Sequence, residues 1–292
     1  MTDTSNVPPQ PVGRHFEVAG ELYEVIKHIY CIRTPADFTI ITQHLSPSLE
    51  TMLVFNFGEP MRISFGDKEF ENQRLDRIAV AGPIRKMMNY ELLPNSDLIV
   101  VVFRPNGFYR LFQIPADSME SEVIKNPDEM LGIGGFMELW QILQPLSTLE
   151  SRIDVLMEYG NIFIRKADAE AQLLFGDLQQ PRTGKMQPAK AIAVDADLST
   201  RTIQMRFQKY LGFSTKELAR YLRFKQVIEF IQQEGSAVDW LSVVDQFGYH
   251  DQSHLIRDFR HYLSTTPRKF IQEFLGKEFC VSKADAPAVN PK

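Results

Sequence analysis

One short pattern occurs twice between Lys190 and Phe270, and few folds can accommodate both copies. The first runs from Asp197 to Phe207 (DLSTRTIQMRF) and the second from Tyr249 to Phe259 (YHDQSHLIRDF), with their closing phenylalanines 52 positions apart. Each copy opens on a short polar residue able to cap a helix, Ser199 or Asp251. In each, an aliphatic residue (Ile203, Leu255) stands four before the aromatic and a second aromatic (Tyr210, Tyr262) follows three later. Helical geometry puts all three on one face, which predicts two amphipathic helices with buried aromatic stripes. Upstream of the second copy, Gly248 can take the positive φ that a corner between two helices requires.

The segment between the copies predicts a single long helix. Ser214 and Glu217 have the spacing of a capping box, and Leu218, Tyr221, Leu222, Val227, Ile228 and Ile231 recur at helical intervals up to a stop at Gly235 and Ser236. Asp239 to Gln246 reads as a short first helix of the second unit, with Leu241 and Val244 inward. A last helix starts at Thr266 and Pro267, a cap followed by a proline at the first helical position, and runs through Phe270 and Phe274.

From about Lys190 to Phe274 the chain resembles the DNA-binding domain of AraC/XylS-type bacterial transcription regulators, two helix-turn-helix units bridged by a long helix. The residues that carry the resemblance are Ser199, Arg201, Ile203, Arg206, Phe207 and Gly212, then Leu222 and Arg223, then Gly248, Tyr249, Asp251, Gln252, His254, Phe259, Thr266 and Pro267. The chain departs from that pattern at Val244, where the family usually has Ala, and at Ser264, where Gly is common. A third departure is Met205, where a basic or polar residue often faces DNA. Charge fits the same division. Pro181 to Leu275 holds 14 Lys and Arg against 10 acids, a net of +4, which leaves −9 for the rest of a chain whose total is −5. A basic segment on an acidic body is the electrostatic layout of a DNA-binding domain attached to a domain that does not bind DNA.

The helical period also assigns the exposed face. Arg201, Gln204 and Met205 lie opposite Ile203 and Phe207 on the first helix, and Gln252, Ser253, Ile256 and Arg257 lie opposite Leu255 and Phe259 on the second. Arg can pair with guanine and Gln with adenine in the major groove. Thr200, Lys209 and Ser253 suit phosphate oxygens better. Arg206 is set aside as a partner for an acid within the domain. Asp251 and His254 share a helical face, but a cap and a phosphate contact account for them without catalysis.

The first half reads differently. Phe38 to Thr42, Met52 to Phe57, Met61 to Phe65, Ile78 to Ala81 and Leu98 to Phe103 are β-branched or aromatic runs separated by Gly, Pro, Asn and Asp. They predict a β-rich barrel or sandwich of cupin-like form. Leu53 to Gly58 and Phe103 to Gly107 resemble the sensor portion found in one AraC-type subgroup. Helices are expected at Phe108 to Phe112, Phe136 to Leu146 and Leu149 to Lys166, the last with Ile153, Leu156, Met157 and Ile164 inward. By resemblance those helices pair two subunits; by packing alone they cover the barrel. The expected organisation is a tail (1–15), a sensor or dimerisation domain (16–112), a helical extension (113–175), a polar linker (176–188), the double helix-turn-helix domain (189–276) and a second tail (277–292).

The expected fold class is therefore α+β in two domains, the second all-α. Its expected partners are duplex DNA, with RNA polymerase, a small-molecule effector and a second copy of the chain as further candidates. Any effector is expected in an apolar strand-lined cavity, where Phe55, Phe57 and Phe65 alternate as an inward set would, unless the barrel is simply packed solid. No cofactor or metal is expected, because His15, His28 and His44 never form the close pair that a metal-dependent cupin places on one strand. Gly132, Gly134 and Gly135 read as a loop, not a phosphate cradle, and no nucleophile motif appears. Cys31 and Cys280 suggest neither a disulfide framework nor a metal site, and the polar, proline-rich start has no apolar signal core, which together predict a cytoplasmic protein. The competing class is a ligand-binding or enzymatic cupin-like protein whose C-terminal domain scaffolds a partner.

Overall fold

The computed structural model describes residues 11–67, 70, 73–164, 198–235 and 238–275. The expected linker at 176–188, the tail at 277–292 and Cys280 lie outside them. Among the described residues the first half has ten strands in two antiparallel sheets. The strands are β1 (Val12–Phe16), β2 (Ile26–Arg33), β3 (Ile41–Leu45), β4 (Met52–Asn56), β5 (Met61–Phe65), β6 (Gln73–Leu75), β7 (Ile78–Ala81), β8 (Met88–Leu92), β9 (Asp97–Phe103) and β10 (Ile124–Lys125). The larger sheet has the order β1-β2-β9-β4-β7-β10 and the smaller β3-β8-β5-β6.

The central strands of the larger sheet are buried on both faces, and their sequence shows why. Alternate side chains of β4 point to opposite sides. Met52 and Val54 join Met61, Ile63, Phe65, Met88 and Leu92 in the core between the sheets. Leu53 and Phe55 join Ile99, Val101, Phe108, Leu111, Phe136 and Leu139 in a second core under a helical layer. Every residue of β4 is therefore buried, and the strand reads as an unbroken apolar run instead of an alternation. This corrects one expectation. Phe55 and Phe57 face the helices, and only Phe65 lies in the core between the sheets.

The helical layer comprises α1 (Gly107–Phe112), α2 (Pro127–Leu131), α3 (Gly135–Leu143) and α4 (Leu149–Phe163). Gly132 closes α2 at φ 67° and Gly134 precedes α3, so the glycine cluster is a helix-to-helix turn. Ile153 and Leu156 fix α4 to the sheet. Arg152, buried beside them, donates to Asp97 at 2.8 Å and to the carbonyls of Leu143 and Leu146 at 3.1 Å. At its far end Ile162 and Phe163 are exposed.

Several elements differ from expectation, among them β6, β10 and α2, which were not expected, and α3, which ends at Leu143 and not at Leu146. Strand β1 begins at Val12, inside the stretch read as a tail, and pairs along its whole length with β2. The first predicted strand sits three residues later, at Ile41–Leu45. Both β2 and β8 escape the apolar-run criterion because they carry Lys27, His28, Asn89 and Glu91. In β8 those polar groups are satisfied inside: Asn89 donates to Ser64 Oγ at 3.1 Å, and Glu91 accepts from Arg62.

The second half holds α5 (Thr200–Leu211), α6 (Thr215–Glu234), α7 (Trp240–Gln246), α8 (Gln252–Leu263) and α9 (Pro267–Phe274). This helical unit rests on the β-rich body. Met87 donates its amide to the carbonyl of Tyr262 at 2.8 Å, Tyr221 donates its hydroxyl to the carbonyl of Pro47 at 2.9 Å, and Arg85 donates to the carbonyl of Gly212. Rings meet across the same boundary, Tyr109 with Tyr210 at 5.0 Å and His44 with Phe274 at 5.3 Å.

Candidate nucleic-acid interface

Each helix of the second half is started by a side chain the sequence supplies. Ser199 accepts from the amide of Thr202, Asp239 from Leu241, Asp251 from His254 and Thr266 from Lys269. At α6 the capping box is complete, with Ser214 Oγ accepting from the Glu217 amide at 3.1 Å and Glu217 accepting from the Ser214 amide at 2.7 Å. The His254 amide and the His250 ring hold the Asp251 carboxyl below its usual range, so the cap stays ionised at neutral pH. Gly212 ends α5 at φ 74° and Gly248 turns the chain between α7 and α8 at φ 66°.

The repeated stripes are core. Ile203 and Phe207 are fully buried in one cluster with Tyr210, Leu211 and Phe213. Leu255, Phe259 and Tyr262 are buried in another, with Phe224, Val227 and Ile231 of α6 and Phe270 of α9. Two inward assignments fail. Leu241 is 68% exposed and Val243 is buried in its place; Leu222 is 37% exposed and Phe224 takes the core position. Helix α7 has only seven residues, so its face is set by one buried contact, and a period fitted to two positions is easily one residue out of phase.

The opposite faces stand free of the core. Arg201, Gln204, Met205 and Lys209 on α5 are exposed, and Thr200 at its first position is half-buried. On α8, Gln252, Ser253 and Arg257 are exposed and Ile256 is half-buried. Met205 projects with 63% of its surface accessible, an apolar side chain suited to a thymine methyl more than to a phosphate. Lys209 differs from the others because its ammonium lies 5.1 Å from the Tyr109 ring of the body and 5.4 Å from that of Tyr210. His254 is a packed residue: its ring meets Tyr249 at 5.0 Å and its Nε2 lies 3.3 Å from Arg223.

A charged knot behind α8 was not read from the sequence. Asp258 has no exposed surface, yet it accepts from Arg220 at 2.8 Å and from the Tyr249 hydroxyl at 3.1 Å, with Arg223 3.6 Å away. Burial and the Asp258 charge push the Tyr249 hydroxyl well above its usual pKa, so it remains a donor. The knot joins α8 to α6 and to the turn at Gly248, fixing the angle at which α8 is presented. One signal was available: Asp258 occupies an i+3 position from the core residue Leu255, where an acid has no reason to sit unless it is paired.

Residues 192–273 match a family model described as a helix-turn-helix domain, and residues 14–125 match one described as a domain of unknown function (DUF6597). No curated protein is similar in sequence. Among solved structures, the AraC-like transcriptional activator CuxR is 10% identical, over 70% of this chain and 77% of that one, with a TM-score of 0.29. The Escherichia coli ribosomal oxygenase YcfD is 11% identical over 52% and 42%, with a TM-score of 0.22. PhpD with cadmium atoms is 12% identical over 71% and 49%, with a TM-score of 0.20. Likenesses this weak decide nothing about fold or function. Residues 192–273 are a helix-turn-helix domain, and α6 bridges its two capped helix pairs.

Proposed function

We propose that the chain is a DNA-binding transcription regulator of the AraC/XylS type that recognises its sites by laying α5 and α8 in two adjacent major-groove segments. Arg201, Gln204 and Met205 on α5, and Gln252, Ile256 and Arg257 on α8, face the base edges, while Thr200, Lys209 and Ser253 contact phosphates. The observation that carries this reading is the repeat itself. The same pattern builds both helices, buries the same stripe in each and leaves equivalent faces of both accessible. In this reading the half up to about residue 175 senses or dimerises, 176–188 links it to the DNA-binding half at 189–276, and RNA polymerase, a small-molecule effector and a second copy of the chain are its further partners. In this reading the protein acts on DNA in the cytoplasm and not as an enzyme. Among the described residues no helix is long and apolar enough to cross a membrane.

The test is duplex binding by the full chain, with sequences selected from its own genome and read by fluorescence anisotropy. The logarithm of affinity should fall with the logarithm of salt by roughly 0.9 per phosphate contacted. Arg201→Ala and Arg257→Ala should each weaken specific binding by about 1–3 kcal/mol without lowering the melting temperature. A folded chain that binds no duplex in a sequence-dependent, salt-sensitive way overturns the proposal.

A further inference from the structure

A cavity of about 300 Å³ lies where the helical unit meets the β-rich body, a volume at the small end of known ligand sites. Its apolar walls come from both sides: Phe103 and Phe108 from the body, Leu211, Phe213, Phe224 and Ile228 from the helices. By contrast, the pocket between the larger sheet and the α4 layer holds only about 40 Å³ and has almost no polar lining. A space of that size admits no more than a water or two.

The polar groups of the larger cavity specify what it would take. Its lysines are paired with carboxylates, Lys27 with Glu50 at 2.6 Å and Lys225 with Glu229 at 3.8 Å, and Arg104 gives its Nε to the Tyr23 carbonyl at 2.6 Å and lies over the Tyr23 ring. Asn106 also lines the cavity; it is buried to more than nine-tenths, and its Oδ1 has no hydrogen-bond partner. A buried amide oxygen without a donor is an unmet demand for one. The amide can turn by half a rotation and present its NH2 instead, so a hydroxyl, which both donates and accepts, satisfies either orientation.

We propose that this interdomain cleft binds a small, neutral, largely apolar molecule through one hydroxyl group held by Asn106. A ligand there touches the body and the DNA-binding half at once, so it favours their docked arrangement over any other. Resting on the regulator reading above, this makes the cleft the effector site: ligand and DNA must change each other's affinity by one common factor.

The test uses the full chain with 1-naphthol and, as a partner of similar shape without the hydroxyl, 1-methylnaphthalene. Calorimetry should show 1-naphthol binding about two- to tenfold tighter, the worth of one net hydrogen bond. Asn106→Gly should erase that preference while keeping the backbone, because Asn106 sits at φ 66°, which glycine adopts freely. Leu218→Trp, which narrows the cleft from the helical side, should weaken both probes. Melting temperatures establish that each variant is folded. Failure of 1-naphthol to bind, or an undiminished preference in Asn106→Gly, overturns the site. Equal DNA affinity with and without bound 1-naphthol overturns its regulatory role. Either result leaves DNA recognition standing, since duplex binding is measured in the same samples without the probe.

Discussion

The two helix-turn-helix units carry one pattern but are held in place by different means. The core of the first is a small apolar cluster around Ile203 and Phe207, and the helix leans on the body through Tyr109, the turn at Ala116 and the Arg85 contact to Gly212. The second shares a larger core with α6 and α9 and is tied to α6 by the buried Asp258 knot. The repeat therefore specifies helix, cap and stripe in both copies, whereas the fastening of the second unit lies where the copies differ, Asp258 standing at the position of Arg206. One unit depends on the rest of the protein for its position and the other carries its own anchor. That asymmetry makes α5 lean on the body more than α8, which the body holds through the Met87 amide at the Tyr262 carbonyl.

Removing the anchor is expected to have the largest effect. Asp258→Ala leaves Arg220 and Arg223 without the carboxylate that neutralises them and leaves the Tyr249 hydroxyl without its acceptor. Breaking a buried pair costs about 3–5 kcal/mol, and the lower end applies because the Arg220 side chain keeps 37% of its surface in water. Hydrogen exchange should show α8 and the Gly248 turn losing protection while α5 keeps it. Equal loss in both helices would mean that the two units unfold as one block, and the contrast between them would collapse.

What the sequence could show follows the same division. Caps, stripes and the Gly248 turn are local, and Ser199, Asp251, Ser214 and Glu217 act where their spacing put them. Strands β5 and β7 were equally visible, since an apolar run between turn residues needs no knowledge of its neighbours. The rest depends on distant partners. Asp258 meets Arg220 across 38 positions, so its place on the core face of α8 signals a pair without naming the partner. Strand β8 hides because Asn89 and Glu91 look exposed, yet Ser64 and Arg62 on the neighbouring strand satisfy them. The interdomain cleft is less legible still: no stretch of chain contains it, and Leu222, read as core, is one of its walls.

The grip on α5 can be isolated with two glycines. Both Gly212 and Gly248 have positive φ, so alanine at either strains the backbone by about 1–2 kcal/mol. Their surroundings differ. A Cβ on Gly212 would lie 2.7 Å from the Ala116 carbonyl oxygen and 3.0 Å from the Pro83 ring, both in the body, whereas one on Gly248 would meet nothing within 4 Å. Gly212→Ala should therefore be the more destabilising in urea, and the excess over Gly248→Ala measures the close approach of α5 to the body. Should the two variants be equally destabilised, the body does not position the first unit.

The smallest expected effect comes from the contact between the body and the bridging helix. Tyr221 on α6 gives its hydroxyl to the Pro47 carbonyl at 2.9 Å, deep in the boundary, and burial raises its pKa so that the proton stays available as a donor. Tyr221→Phe keeps the ring against Tyr262 and removes only that bond, at about 1 kcal/mol. A chain of this size should then melt roughly 2–4 °C lower. Exchange should quicken at the amides of Ser48 and Leu49, which follow Pro47 and bond to the Ile84 carbonyl, before it changes within α6. An unchanged melting temperature with unchanged exchange at those amides would show that α6 is held by apolar contact alone. The body's directional hold would then fall on the first unit through Arg85 and on the second through the Met87 amide, and the contrast between the units would rest on the buried Asp258 knot.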